Sequence, residues 1–178
     1  MSDYRVANRY AKSLLDLAQE RDELEKINSD MTLIQATCKG SPELQAVLKN
    51  PIISHFKKLE VLKVLFGEQV SEVTSRFIDI LCRKKREAFL YASTEQFHVL
   101  YNKFKGIEEA EVITPIALSD ELRAKFVNMI QKMSGKTVEL TEKVDAELLG
   151  GYILRVQGNQ IDDSVRSRLN NLRKELIS

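Results

Sequence analysis

DAELLGGYILRVQGNQIDDSVRSRL, residues 145–169, decides how this chain is read. Gly150 and Gly151 precede an aromatic and aliphatic run, Tyr152 to Val156, which predicts a short strand. Gly158-Asn159 predicts a tight turn, because glycine reaches positive φ without steric cost and asparagine tolerates it. Asp162, Asp163 and Ser164 then supply capping oxygens and negative charge where a helix should begin. Val165, Leu169, Leu172 and Leu176 recur at steps of four, three and four, one apolar stripe of a closing helix. Nothing here has the form of a catalytic site. No Gly-Lys-Ser/Thr follows the glycines, so they are not a phosphate loop. Asp162-Asp163 lack the further carboxylates of a calcium loop, and capping is the better reading. Ser164 has no nucleophile-elbow context.

Working outward, Val112, Thr114, Ile116 and Leu118 alternate with period two, a strand signal in which Pro115 implies an edge position or a bulge. Ser119 caps a helix carrying Leu122, Phe126, Ile130 and Met133. Ser134-Gly135 ends it, and Thr137 to Val144 reads as another strand. The first strand, the helix and the second strand can form a parallel crossover. The second and third strands are expected to pair antiparallel.

Before Gly106 the apolar period is helical throughout. Ser2 or Asp3 can cap a helix over about 4–18. Tyr4, Ala7, Ala11, Leu14, Leu15 and Ala18 form its stripe, with Val6, Tyr10 and Leu17 beside it. A helix apolar over half its circumference either packs between two neighbours or leaves a flank for a partner. Leu24, Ile27, Met31, Ile34 and Cys38 mark a second helix, and Ser41-Pro42 starts a short third. Asn50-Pro51 breaks the chain before a fourth, with Leu59, Leu62, Leu65 and Phe66 inward. A fifth, over about 70–83, has Val70, Val73, Phe77, Ile80 and Leu81 as its core face, with Thr74 and Ile78 to one side. The basic run Arg83-Lys84-Lys85-Arg86 follows, read as a solvated corner well placed at a helix C-terminus. A sixth buries Leu90, Phe97, Leu100, Tyr101 and Phe104. The fold class is therefore mostly α: an N-terminal six-helix antiparallel bundle over 1–105, then a small α+β domain with a short sheet over 106–178.

Composition narrows the function classes. The 178 residues are 43% apolar and 30% charged, with a net charge of +1, three prolines and no tryptophan. A nucleic-acid binder needs a basic excess to displace counterions, so none is expected as a partner. Cys38 and Cys82 stand alone, without zinc or dithiol spacing, and read as small buried apolar residues of a reducing compartment. No apolar run approaches the roughly 20 residues of a membrane span, and the N-terminus lacks a signal core. His55 and His98 sit on separate helices without metal-ligand spacing. No catalytic residue, metal or cofactor is expected.

The order Asp145, Gly150-Gly151, apolar strand, Gly158 turn, then Ile161-Asp162-x-Ser164-Val165-Arg166-x-Arg168-Leu169 resembles the delta subunit of bacterial F-type ATP synthases. That subunit is the counterpart of the mitochondrial oligomycin-sensitivity-conferring protein. Arg9-Tyr10-Ala11 with Leu14-Leu15 and Leu17-Ala18, Asn50-Pro51 with Lys57-Lys58, Lys85-Arg86, and Val112 through Leu118-Ser119 fit the same family in order. Pro115-Ile116 departs from it, where small residues are more usual. The resemblance implies a non-catalytic stator subunit, peripheral on the cytoplasmic face of the bacterial membrane and held there only through its complex. The bundle would bind the N-terminal segment of an alpha subunit, and the C-terminal domain the ends of the peripheral-stalk b subunits. A groove for the alpha segment is expected between the first and fifth helices, at Val6, Tyr10, Leu17, Thr74 and Ile78. Asp145, Gly150, Gly151, Gly158, Asp162 and Ser164 are expected to be structural. A helical adaptor unrelated to ATP synthase is the rival reading, with a small metal-free enzyme behind it.

Overall fold

The computed structural model describes residues 2–156 and 158–177; the side chains of 2, 3, 171, 172 and 174–177 lie outside that description, so Leu172 and Leu176 of the closing stripe do too. The chain divides into two compact units, Met1–Tyr101 and Asn102–Ser178.

The first unit is built from α1 (Ser2–Glu20), α2 (Leu24–Gly40), α3 (Pro42–Lys49), α4 (His55–Phe66), α5 (Glu72–Arg83), a 3-10 turn (Glu87–Phe89) and α6 (Leu90–Lys105), whose last turn falls in the second unit. Local chemistry sets the starts. The hydroxyls of Ser41, Ser54 and Ser71 accept from the N–H groups of Leu44, Lys57 and Thr74, the N-cap bond that satisfies an otherwise orphaned donor. Ala7, Ala11 and Ala18 are fully buried, so α1 presents a small-residue face to its neighbours. Ile27, Met31, Ile34 and Cys38 form the α2 seam, and Phe66, Leu81, Leu90 and Phe97 complete the core.

Several side chains expected inside are outside. Tyr4 and Phe104, in the first and last turns of α1 and α6, are exposed. So are Leu65, Leu122, Met133, Val165 and Leu169. On α5 the buried set is Val73, Thr74, Phe77, Ile78, Leu81 and Cys82, which moves the inward arc round to include Thr74 and Ile78 and leaves Ile80 49% exposed.

The second unit contains β1 (Ile107–Thr114), α7 (Asp120–Ser134), β2 (Thr137–Val144), β3 (Ile153–Val156), β4 (Asn159–Asp162) and α8 (Val165–Ile177). The sheet order is β2-β1-β3-β4. β1 and β2 pair in parallel from Ile107↔Thr137 to Thr114↔Val144, as the crossover reading requires. The expected pairing of the second and third strands is corrected: β3 pairs antiparallel with β1, Val112 opposite Leu154, which makes β1 central and puts β2 on an edge. β1 ends at Thr114, before Pro115 rather than through it. A residue without an N–H cannot extend a strand paired on both sides. β4, unexpected from the sequence, forms a hairpin with β3. Ala110, Val112, Ile130 and Leu154 form the core, with Leu118, Phe126, Met129, Val138, Leu140 and Tyr152 packed around it.

Candidate partner-binding surfaces

In the first unit, Val6, Tyr10 and Leu17 lie half-buried on one flank of α1, next to its fully buried alanines. The Tyr10 ring meets Phe77 of α5 edge-on, with centroids 6.4 Å apart and planes at 73°. This contact identifies which side of α5 borders the α1 flank. Phe77 lies there, and Ile80, three residues on and so adjacent on the helix surface, stands exposed beside it.

Thr74 and Ile78 do not share that surface. Thr74 is fully buried, and its hydroxyl donates to Asp30 Oδ2 of α2 at 2.7 Å. The same oxygen accepts from the Ser71 N–H at 2.8 Å, so a carboxylate of α2 caps the start of α5, where the helix dipole favours negative charge. Ile78 lines a hollow of only about 10 Å³ against Leu62, Phe66 and Val70 on the α4 side. The exposed apolar side chain on the Tyr10 side of α5 is Ile80, with Phe77 itself buried beneath the flank. Asp30 had a readable signal: a charged residue three after Ile27 and four before Ile34, on an otherwise apolar seam.

A second buried charge had no local signal. Lys58 donates to Glu87 Oε1 at 2.7 Å and to the Leu48 carbonyl at 2.8 Å, tying α3, α4 and the 3-10 turn together. The two residues are 29 apart in sequence. Burial pushes the Cys38 and Cys82 thiols up to about 11, away from the thiolate that redox chemistry uses.

In the second unit Gly150, Gly151, Asp162 and Ser164 meet at one joint, while Asp145 and Gly158 shape separate turns. The Asp145 N–H donates to Thr114 O at 2.9 Å, and Asp145 Oδ1 accepts from the Glu147 N–H at 3.0 Å, turning the chain back from β2. Gly151 has φ +79, and a Cβ there would lie 2.3 Å from the Asp163 carbonyl oxygen. Around that close approach, Val165 N–H donates to Gly150 O and Asp163 N–H to Tyr152 O, each at 3.0 Å. Gly158 also has φ +79, in the turn between β3 and β4, with open space around it. Ser164 is buried and caps α8 through the Ser167 N–H at 3.2 Å. Asp162 accepts from the Ser164 N–H at 2.9 Å and the Ser167 hydroxyl at 2.7 Å. Its carboxyl is held below the usual range first by the Ser164 side chain, then by the Ser164 N–H and by Ser167. Arg168 holds Asp163 through two bonds of 2.7 and 2.6 Å. Asp162 is thus committed to capping α8 and Asp163 to Arg168. Among the described residues no His/Cys/Asp/Glu group could hold a metal ion.

One cleft opens beside this joint. It has a volume of about 160 Å³ and is lined by Ile130, Met133 and Ser134 of α7, Leu154 and Val156 of β3, and Asn159 and Ile161 of β4. No helix among the described residues is long and apolar enough to cross a membrane.

Comparison with known proteins adds to this geometry. Residues 6–176 match the family model described as ATP synthase delta (OSCP) subunit. The chain is 39% identical over 175 residues to the ATP synthase subunit delta of Cytophaga hutchinsonii, spanning 98% of this chain and 96% of that protein. It is 35% identical to that of Chlorobaculum tepidum, over 100% and 98% of the two chains. A chain of the Toxoplasma gondii mitochondrial ATP synthase hexamer, solved by cryo-EM, superposes with a TM-score of 0.73 at 26% identity, over 97% of each chain.

Proposed function

The chain belongs to the ATP synthase delta (OSCP) subunit family, and from that premise we propose that it is a non-catalytic stator subunit linking the catalytic head to the peripheral stalk. A rotor turns within the head of such a machine, and the head must be held still. One proton crossing about 100 mV releases roughly 2.3 kcal/mol, and several are gathered per ATP. A linkage that resists this must not slip, and nanomolar attachment, about 12 kcal/mol, is adequate. The subunit works by binding at both ends, on the cytoplasmic face of a bacterial membrane, and reaches the membrane only through the complex.

The observation that carries this reading is the partly exposed apolar flank where Tyr10 meets Phe77 and Ile80 stands clear of the core. An amphipathic helix from the N-terminal segment of an alpha subunit fits along Val6, Tyr10 and Leu17 on one side and Ile80, backed by the buried Phe77, on the other, a common mode of peptide recognition. In the second unit, the cleft beside Met133 and Ile161 suits the C-terminal end of a b-subunit helix. We further propose that residues 1–105 and 106–178 fold independently, which separate expression and melting of the two fragments tests.

Titration of the purified chain with an alpha-subunit N-terminal peptide tests the main reading. Ile80→Asp and Tyr10→Ala should each weaken binding by about 1–3 kcal/mol, the range for interface anchors. Ile80→Asp should leave the melting temperature nearly unchanged, since its side chain is half in water. Wild-type affinity in both variants refutes the placement, and absence of peptide binding by the wild type refutes the assignment of this face to the alpha subunit.

A further inference from the structure

At the C-terminal end of α5, Arg83, Lys84, Lys85 and Arg86 are all exposed. A run of surface cations is ordinarily a solvated corner, but three features set this one apart.

The corner is fixed in place. The N–H groups of Lys84, Lys85 and Arg86 donate to the carbonyls of Ile80, Cys82 and Leu81 at 3.0, 2.9 and 2.8 Å. Lys85 takes φ 55, so the helix closes with a left-handed residue. The Arg86 guanidinium then lies over the Phe89 ring, 5.7 Å from its centroid.

The corner is also unneutralised. The next carboxylate in the chain, Glu87, is turned inward onto Lys58. The Asp79 carboxylate, one helical turn before Arg83, is paired with Lys63 at 3.4 Å. Among the described residues, no ion pair involves any of the four cations. A chain of net charge +1 thus concentrates four positive charges on one turn.

Lys84, finally, is aligned with the apolar flank. It is the C-cap of α5, seven residues after Phe77 and four after Ile80, so it stands at the end of the stripe those two mark.

We propose that this corner is an electrostatic clamp for an acidic end of the amphipathic helix that docks between α1 and α5; the inference rests on the partner-binding reading above. The occupant is a helical segment that is apolar along one face and bears carboxylates where it overlies Lys84. Unpaired charge at the end of an apolar groove selects a partner of opposite sign and speeds its arrival, more than it tightens the final complex. Its reach is set by the Debye length, about 10 Å at 0.1 M salt, so the effect is strong at low ionic strength and fades as salt rises.

The test is stopped-flow and equilibrium fluorescence anisotropy with the full chain and a labelled alpha-subunit N-terminal peptide, at low and high salt. Arg83→Glu/Lys84→Glu should weaken binding about tenfold or more at low salt, mostly through slower association, and most of the gap should close at high salt. Lys84→Gln should show the same pattern at smaller size, and both variants should melt like the wild type. A peptide whose Asp and Glu are changed to Asn and Gln should bind wild type and variants alike. Wild-type binding by the charge-reversed chain at low salt, with the wild type binding the peptide normally, overturns the clamp and leaves the docking reading intact. Failure of the wild type to bind the acidic peptide at either salt overturns both. Phosphatidylglycerol vesicles that bind the wild type but not the charge-reversed chain, with peptide affinity unchanged, reassign the corner to a membrane surface and also overturn the proposal.

Discussion

Gly151→Ala is the sharpest test of the joint that closes the second unit. Two separate effects act on the new methyl group. The residue sits at φ +79, where an L side chain costs roughly 1–2 kcal/mol. The Cβ would also stand 2.3 Å from the Asp163 carbonyl oxygen and 2.9 Å from Ser164 Cα, below the 3.0 Å that real Cβ atoms keep. Both are backbone atoms, so no rotamer change relieves the clash, and the entry to β3 must move away from the start of α8 by about 0.7 Å. The Asp163–Tyr152 and Val165–Gly150 hydrogen bonds span that gap. Weakening both at about 1 kcal/mol each gives a combined loss of about 3–4 kcal/mol. Against a typical stability of about 5–15 kcal/mol, this is enough to open the second unit at moderate temperature. Gly158→Ala is the matched control, with the same φ but nothing within 4 Å of its Cβ. It should lose only about 1–2 kcal/mol. Urea denaturation of both variants, with hydrogen exchange to locate the loosened amides, measures the difference. Equal losses for the two glycines would show that the close approach contributes nothing and refute the reasoning.

Asp30→Ala strands the Ser71 N–H and the Thr74 hydroxyl in a buried site and should destabilise the chain by about 1–3 kcal/mol in thermal unfolding, with Asp30→Asn restoring part of it. Lys58→Met or Glu87→Leu alone should lose about 3–5 kcal/mol, because each leaves a buried charge without its partner. The double replacement should return to within about 1 kcal/mol of wild type, since Glu87 Oε2 already lacks a partner and the pair gives up little when removed whole. The lowered carboxyl of Asp162 contributes stability that is fully present above its unfolded value. That contribution is lost as pH falls through the lower folded value. Asp162→Asn should therefore flatten the acid limb of a stability–pH curve and leave its neutral plateau shape unchanged.

The helices were legible because repeats such as Ile27, Met31, Ile34 and Cys38 fix both element and inward face. α5 shows where that method fails. Its buried arc is broad, and Thr74 looks like a flank residue until the Asp30 carboxylate beneath it is seen. Nothing local announces Lys58 with Glu87, which meet through three separate elements. In the second unit the parallel crossover was readable from element order, but the partner of β3 was not. A strand as short as Ile153–Val156 carries no mark of whether it joins β1 or β2. β4 is not legible in the sequence because all four of its residues are exposed and three are polar, so it shows no alternation. The capping residues Asp162 and Ser164 were legible, whereas the steric demand at Gly151 needed the position of Asp163 in space.

The central place of β1 has a consequence for how the chain is made. This strand is synthesised first among the four, yet both its neighbours come later: β2 begins at Thr137 and β3 at Ile153. At about 5–20 residues per second, the strand waits roughly 2–8 s on the ribosome for its second edge. The helices of the first unit, whose contacts lie closer along the chain, can fold during that interval. A central strand with two unpaired edges invites association with other nascent chains. In β1 the glutamates at 108, 109 and 111 supply charge that resists such pairing. Once the sheet is complete, Glu108 is buried against Lys136 and Glu111 is paired with Arg155, so the charges that guard the nascent strand become fastenings of the finished one.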